Sequence, residues 1–254
     1  MSKIYASVAV EFALSQVGYI GKKTNDQLDD FTANQIGKYN KYARDLWEKA
    51  NPHFWNGNKN GFDWCTSFYA DCIYEAADHD SVAAQAALCY TGPYGAGCKF
   101  AVNYYEAAGR FWPRMKADPK PGDQIFFGTA DNIRHTGMVV EVDSGRIVTV
   151  EGNSNLRVRK LTYASNDPNI YGYGRPKYDG DTPPDDGMPF VDVKKSAWYY
   201  DAVKWGYDNG IAIGTGPTHF NPNKACTRAE VMQIEQNTYD LIIEKVAKMI
   251  KGVG

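Results

Sequence analysis

One stretch of this chain has the composition of a linker and breaks any single continuous core. From Tyr178 to Met188 it reads Tyr-Asp-Gly-Asp-Thr-Pro-Pro-Asp-Asp-Gly-Met, acidic, rich in proline and glycine, and without apolar periodicity. Such a composition joins folded units rather than packing inside one. Residues 179–187 are therefore read as a linker between a body, residues 1–178, and a tail, residues 188–254. Both pieces are of plausible domain size.

Within the body the hydrophobic period changes once. Helical spacing covers about residues 3–18 and 39–50, a third helix begins at Asp63, and Cys98 to Gly109 reads as a further helix stopped by its glycine. Lys120-Pro-Gly-Asp123 is then a turn, followed by a strand over Gln124–Phe127. Two β-rich runs, His135–Val142 and Arg146–Glu151, flank Asp143-Ser-Gly145 and read as an antiparallel hairpin. Helices first and strands afterwards give an α+β fold class. In the tail, one helix runs from Ser196 as N-cap to a stop at Asn209-Gly210. A second starts at Thr227, with Glu230 completing a capping box, and continues toward Ile250. Its stripe of Tyr239, Ile242, Val246 and Ile250 suits packing within the unit or association with a second copy.

The totals exclude several classes. With 28 basic and 30 acidic residues the net charge is −2, which gives no footprint for nucleic acid. No run approaches the length of a membrane span. Glu11, Ser7 and Gln16 interrupt the apolar N-terminal stretch, so an amphipathic helix through Ile4, Val8, Phe12 and Leu14 is expected there rather than a signal peptide. Synthesis in the cytoplasm without an export signal is the corresponding expectation. The five cysteines (65, 72, 89, 98 and 226) include no CxxC pair, which argues against zinc and redox motifs. Cys72, Cys89, Cys98 and Cys226 are read as small buried apolar residues.

Cys65 is different. Asp63 is placed as an N-cap with Trp64, Cys65 and Thr66 in the first turn, where the positive helix end stabilises a thiolate. The Cys65 N–H is also a spare donor for a developing oxyanion. The Asp63 carboxylate opposes the thiolate, but a nearby imidazolium outweighs it. The hairpin supplies that partner: His135 opens its first strand, Glu151 and Asn153 close its second, and the tight turn folds these ends together. A nucleophile, a base and an orienting acid are the minimum set for covalent hydrolysis.

The body resembles the CHAP family of cysteine- and histidine-dependent amidohydrolases and peptidases found in bacterial cell-wall hydrolases. The residues that carry this are Ala13–Tyr19, Gly61-Phe-Asp-Trp-Cys-Thr-Ser-Phe68, Pro121–Gly128, His135-Thr-Gly-Met-Val139, Val150-Glu-Gly-Asn153 and Gly172-Tyr-Gly-Arg-Pro176. The resemblance implies a papain-like fold in which Cys65 is nucleophile, His135 is general base, and Glu151 and Asn153 orient the histidine. It implies cleavage of an amide bond of peptidoglycan, by an amidase or an endopeptidase, with no cofactor. Some relatives carry calcium just before the cysteine; here Asn56–Asp63 offers amides but one carboxylate, too little charge for that ion. Trp64, beside the nucleophile, is a candidate substrate contact.

The tail is similar to a single S-layer homology (SLH) repeat, through Phe190-Val-Asp-Val193, Trp198–Val203, Asn209–Gly214, Phe220-Asn-Pro-Asn223 and Thr227-Arg-Ala-Glu230. That similarity implies binding of secondary cell-wall polysaccharide, with Arg228 and Glu230 as candidate contacts. An arginine fork at a helix start suits an anionic polymer. Such repeats commonly come in threes, so a single copy suggests a homo-oligomer through the last helix. Together the two resemblances imply a lytic enzyme that acts on the wall after release, an endolysin, with an autolysin or a non-catalytic wall-binding protein as alternatives.

Overall fold

In a computed structural model describing residues 2–32, 35–90, 95–182, 187–190, 192–193, 195, 197–216 and 219–251, the chain divides into two units, residues 1–183 and 184–254. The first is α+β. Helices α1 (Ala6–Ser15), α2 (Lys41–Glu48), α3 (Cys65–Ala76), α4 (Ser81–Ala87) and α5 (Cys98–Ala107) come before the sheet. Its strands are β1 (Phe111–Pro113), β2 (Gln124–Thr129), β3 (Asn132–Asp143), β4 (Arg146–Ser154), β5 (Arg157–Ala164) and β6 (Ile170–Gly174). They lie in the order β1-β6-β2-β3-β4-β5, with every pair antiparallel.

α3 is the axis of this unit. Every one of its residues except Glu75 is buried, which marks a helix enclosed on all sides rather than one lying on a surface. It packs on α1 and α2 and on the faces of β3 and β4. The packing is aromatic: Phe68 meets Tyr42 edge-on at 5.0 Å, and the Tyr69 hydroxyl donates to the Gly122 carbonyl at 2.7 Å. The neighbouring helices are pinned by side-chain caps. Asn40 accepts from the Ala43 N–H at 2.8 Å to start α2, and Asp80 accepts from the Ala83 N–H at 3.0 Å to start α4.

The sheet is buried on both faces near its middle. Phe126 turns toward the helices while Ile125 and Phe127 join Val139, Ile147, Ile170 and Tyr173 in a second cluster, as the two-residue strand period requires. Two glycines let β4 reach the helix and its neighbour. A Cβ on Gly152 would lie 2.3 Å from the Phe68 Cβ, and one on Gly137 would lie 2.5 Å from the Glu151 Cγ. Close approach at these points brings the strand ends against the start of α3.

The helices expected at 3–18 and 39–50 are shorter, covering Ala6–Ser15 and Lys41–Glu48. The Cys98 helix does stop before Gly109, whose φ is +66°. α4, β1, β5 and β6 were not among the expected elements.

The second unit has a small core of Phe190, Val193 and Val203 with Tyr199, Tyr207 and Phe220 around it. The Asp192 carboxylate accepts from the N–H groups of Phe220 and Asn221 at 2.8 and 2.6 Å, tying the two ends of this loop region. Helix α6 (Tyr200–Asp208) begins without a side-chain cap at Tyr199; the expected cap, Ser196, lies outside the described residues. It stops at Asn209-Gly210, with Gly210 at φ +68°. Helix α7 (Arg228–Lys251) starts with a complete capping box: the Thr227 N–H donates to Glu230 Oε2 at 2.7 Å, and the Glu230 N–H to Thr227 Oγ1 at 3.2 Å. The Tyr239, Ile242, Val246 and Ile250 stripe is exposed, so packing within the unit does not account for it. No helix among the described residues is long and apolar enough to cross a membrane.

Candidate active site

Cys65 is the first residue of α3, so its backbone N–H has no acceptor inside the helix. The expected cap is corrected. Trp64, not Asp63, occupies the N-cap position, and no side chain caps the helix. Asp63 turns outward, paired with Lys38 Nζ at 2.8 Å and accepting from Asn153 Nδ2 at 3.1 Å. These partners hold its carboxyl below the usual carboxylate range, the Lys38 bond being the main cause. Its charge is answered locally.

Trp64, the candidate substrate contact beside the nucleophile, is drawn into the core. It is fully buried, stacked on Tyr42 at 5.7 Å and edge-on to Tyr19 at 6.1 Å. The indole is a peg that fixes where α3 begins, and with it the position of the sulfur.

His135 arrives from β3 and Glu151 from β4. His135 Nε2 lies 2.8 Å from Glu151 Oε2, and Glu151 is 1% exposed. Thr149 Oγ1 donates to the other carboxylate oxygen at 2.6 Å, so the acid is clamped from both sides. Phe127 stacks on the imidazole at 6.0 Å and 30°. With Nε2 committed to Glu151, Nδ1 is the ring nitrogen left for Cys65. Burial disfavours the charged ring, but the hydrogen bonds to Cys65 and Glu151 together outweigh it and raise the His135 pKa to about 10.

Asn153 does not reach the histidine through a hydrogen bond of its amide. It follows a bulge at the end of β4, sits at φ +59°, and gives its amide to Asp63. Glu151 is thus the partner of His135, and Asn153 bridges the strand end to the loop before α3. The asparagine-rich loop there is tied down by its own amides: Asn60 Oδ1 accepts from the Asn40 N–H at 2.8 Å, and Asn60 Nδ2 donates to Asn25 Oδ1 at 2.7 Å.

One neighbour was not anticipated. Cys98, the first residue of α5, places its sulfur 3.8 Å from that of Cys65 and 3.6 Å from Thr66 Oγ1. The hydrogen bond between the sulfurs and burial push the Cys65 thiol up while His135 pulls it down; the same bond holds Cys98 low. The pair ionises as a unit, its first proton leaving readily and its second late. A separation of 33 positions carries no spacing signal, so only the fold reveals this contact.

In the second unit, Arg228 is the first residue of α7 and is exposed. Glu230 is exposed as well, but its carboxylate is taken up by the Thr227 cap, which keeps it below the usual range. It holds the helix start on which Arg228 stands.

Family models match the chain in two places, a CHAP domain over residues 57–153 and an S-layer homology domain over residues 189–232. The chain carries a CHAP domain followed by an SLH domain. Cys65, His135, Glu151 and Asn153 all fall inside the CHAP match, and Arg228 and Glu230 inside the SLH match. N-terminal helices followed by an antiparallel sheet agree with the papain-like architecture of that domain. Over 52 residues the chain is 46% identical to the Surface-layer 125 kDa protein of Lysinibacillus sphaericus. That stretch is 20% of this chain and spans 4% of that protein.

Proposed function

We propose that the chain is a cysteine-dependent peptidoglycan hydrolase, its catalytic body at residues 1–178 joined through a linker at 179–187 to a wall-binding module at 188–254. The observation that carries this reading is the 2.8 Å His135–Glu151 bond beside a cysteine that opens a buried helix. In the reaction, the Cys65 thiolate attacks the amide carbonyl carbon, and the Cys65 N–H donates to the oxyanion that develops. His135 gives its Nδ1 proton to the departing amine, leaving a thioester. It then takes a proton from water, which attacks the thioester and releases the acid. Glu151 stabilises the imidazolium in both half-reactions and fixes the ring so that Nδ1 faces sulfur. Asn153 holds the β4 end against the loop that leads into α3.

The tail directs this chemistry. Arg228 offers a guanidinium fork at the positive end of α7, suited to anionic groups of a secondary wall polysaccharide, and Glu230 keeps that turn formed. The exposed apolar stripe of α7 supports self-association of the module, which light scattering of the full chain tests directly. The same chemistry serves an endolysin or an autolysin.

The test is digestion of purified peptidoglycan, with new termini identified by mass spectrometry. A new L-alanine amine identifies an amidase, and a new stem or bridge terminus identifies an endopeptidase. Cys65→Ala should release neither. Release at the wild-type rate by that variant overturns the assignment.

A further inference from the structure

We propose that Cys65 and Cys98 form a reversible disulfide, making the nucleophile a modification site that hydroperoxides close and small thiols reopen. Formation of the bond rests on geometry alone; its effect on activity rests on the function proposed above.

The two sulfurs are 3.8 Å apart and both side chains are buried, at 6% and 7% exposure. A disulfide spans about 2.0 Å, so the sulfurs must close by roughly 1.8 Å, a distance that side-chain rotation and a small shift of the α5 start can cover. Each cysteine opens a helix, α3 or α5, so two positive helix ends favour thiolate at the same point. Thr66 Oγ1, 3.6 Å from the Cys98 sulfur, adds a hydroxyl able to donate to it. Cys98 is held below the ordinary thiol range, the Cys65 hydrogen bond being the main cause and burial opposing it. The other cysteines differ: Cys89 donates to the Ala87 carbonyl at 3.7 Å, Cys72 is enclosed in the core, and Cys226 is exposed in the other unit.

The chemistry balances in two steps. The Cys65 thiolate attacks one oxygen of the peroxide; the O–O bond breaks, sulfur is oxidised by two electrons to a sulfenic acid, and hydroxide leaves. The Cys98 thiolate then attacks the Cys65 sulfur; the S–O bond breaks, the S–S bond forms, and hydroxide leaves again, to be protonated by solvent or His135. Two equivalents of an added thiol reverse the bond and are themselves oxidised to a disulfide. Cys98 thereby intercepts the sulfenic acid before a second peroxide drives it to the irreversible sulfinic state.

The experiment uses the full chain with Cys226→Ser, which removes the exposed thiol and its cross-links between copies. After hydrogen peroxide and then iodoacetamide, an unreduced digest is read by mass spectrometry. The expected product is a linked pair of peptides bearing Cys65 and Cys98, lighter than the free pair by two hydrogens, which dithiothreitol separates. Activity on peptidoglycan should fall at least tenfold with the link and return on reduction. With Cys98→Ser added, Cys65 should pass to sulfinic acid and activity should stay lost. Sulfinic acid at Cys65 without a link to Cys98 in the Cys226→Ser chain, or a link through Cys72 or Cys89, overturns the proposal. The link is read by mass alone. A linked protein that still digests the wall would uphold the disulfide and overturn Cys65 as nucleophile.

Discussion

The approach of β4 to α3 makes Gly152→Ala the sharpest structural probe of the site. An alanine Cβ there would lie 2.3, 2.6 and 3.0 Å from Cβ, Cγ and Cδ1 of Phe68. Carbon atoms settle near 3.5–4.0 Å, so strand and helix must part by about 1.2 Å or more. Phe68 cannot swing aside, because it is fully buried and wedged edge-on against Tyr42 at 5.0 Å. Overpacking of this kind costs about 1–3 kcal/mol, and the immobile ring argues for the upper part of that range. In a body of this size each kcal/mol shifts Tm by roughly 2–4 °C, so a fall of about 5–10 °C is expected. Glu151 precedes Gly152 directly, so the same displacement carries the acid away from its 2.8 Å bond to His135. A misplacement near 1 Å at a reacting group costs on the order of a hundredfold in rate. The assay is thermal unfolding followed by circular dichroism, with peptidoglycan digestion measured on the same preparation well below Tm. Gly145→Ala is the control. It sits at φ +82° in the hairpin turn with nothing within 4 Å of its Cβ, so it should lower stability and spare the rate. A Gly152→Ala protein that keeps both its Tm and its rate would refute the close-approach argument.

The remaining predictions concern charge and the tail. Glu151→Gln removes one of the two groups that raise His135 to about 10, so the alkaline fall in activity should move to lower pH; an unmoved limb contradicts the pairing. Because the folded pKa of His135 is raised, the stability its partners provide is full below the unfolded histidine pKa and lost as pH rises through about 10. The Tm gap between wild type and Glu151→Gln should therefore narrow across that window. Asp71 is enclosed in α3 with Oδ1 unpartnered, and burial pushes its carboxyl well above the usual range. Asp71→Asn should raise Tm at neutral pH, and the gain should vanish below the unfolded carboxylate pKa of about 4. Arg228→Ala should weaken binding to purified wall polysaccharide on the order of tenfold, the value of a charged hydrogen bond, with helix content unchanged.

Much of the site was legible because its parts are local. The Asp143–Gly145 turn dictates which ends of β3 and β4 meet, so His135 and Glu151 could be paired from the sequence, and the Thr227–Glu230 capping box is a three-residue relation. What escaped depends on distant packing. Trp64 looks like a substrate contact beside a nucleophile, yet Tyr19 and Tyr42 draw it into the core, and that burial also takes the N-cap position from Asp63. Asn153 sits beside Glu151 in sequence, but the bulge at the end of β4 turns it toward Asp63. β5 shows little period-two patterning because it is an edge strand carrying Arg157, Arg159 and Lys160 on exposed positions, the kind of charge that guards an edge. α4 is too short and too rich in alanine to display a stripe. Cys98 belongs to another helix, and no local rule connects it to Cys65.

The central claim is that Cys65 carries the acyl group of the wall. Acid quench during turnover of soluble peptidoglycan fragments, followed by intact-mass measurement and peptide mapping, tests it most directly. An adduct of the acyl fragment on Cys65 is expected, removed by hydroxylamine as a thioester is, and absent in Cys65→Ser. Wall cleavage that proceeds with no adduct on Cys65, and at an undiminished rate in Cys65→Ser, would contradict it.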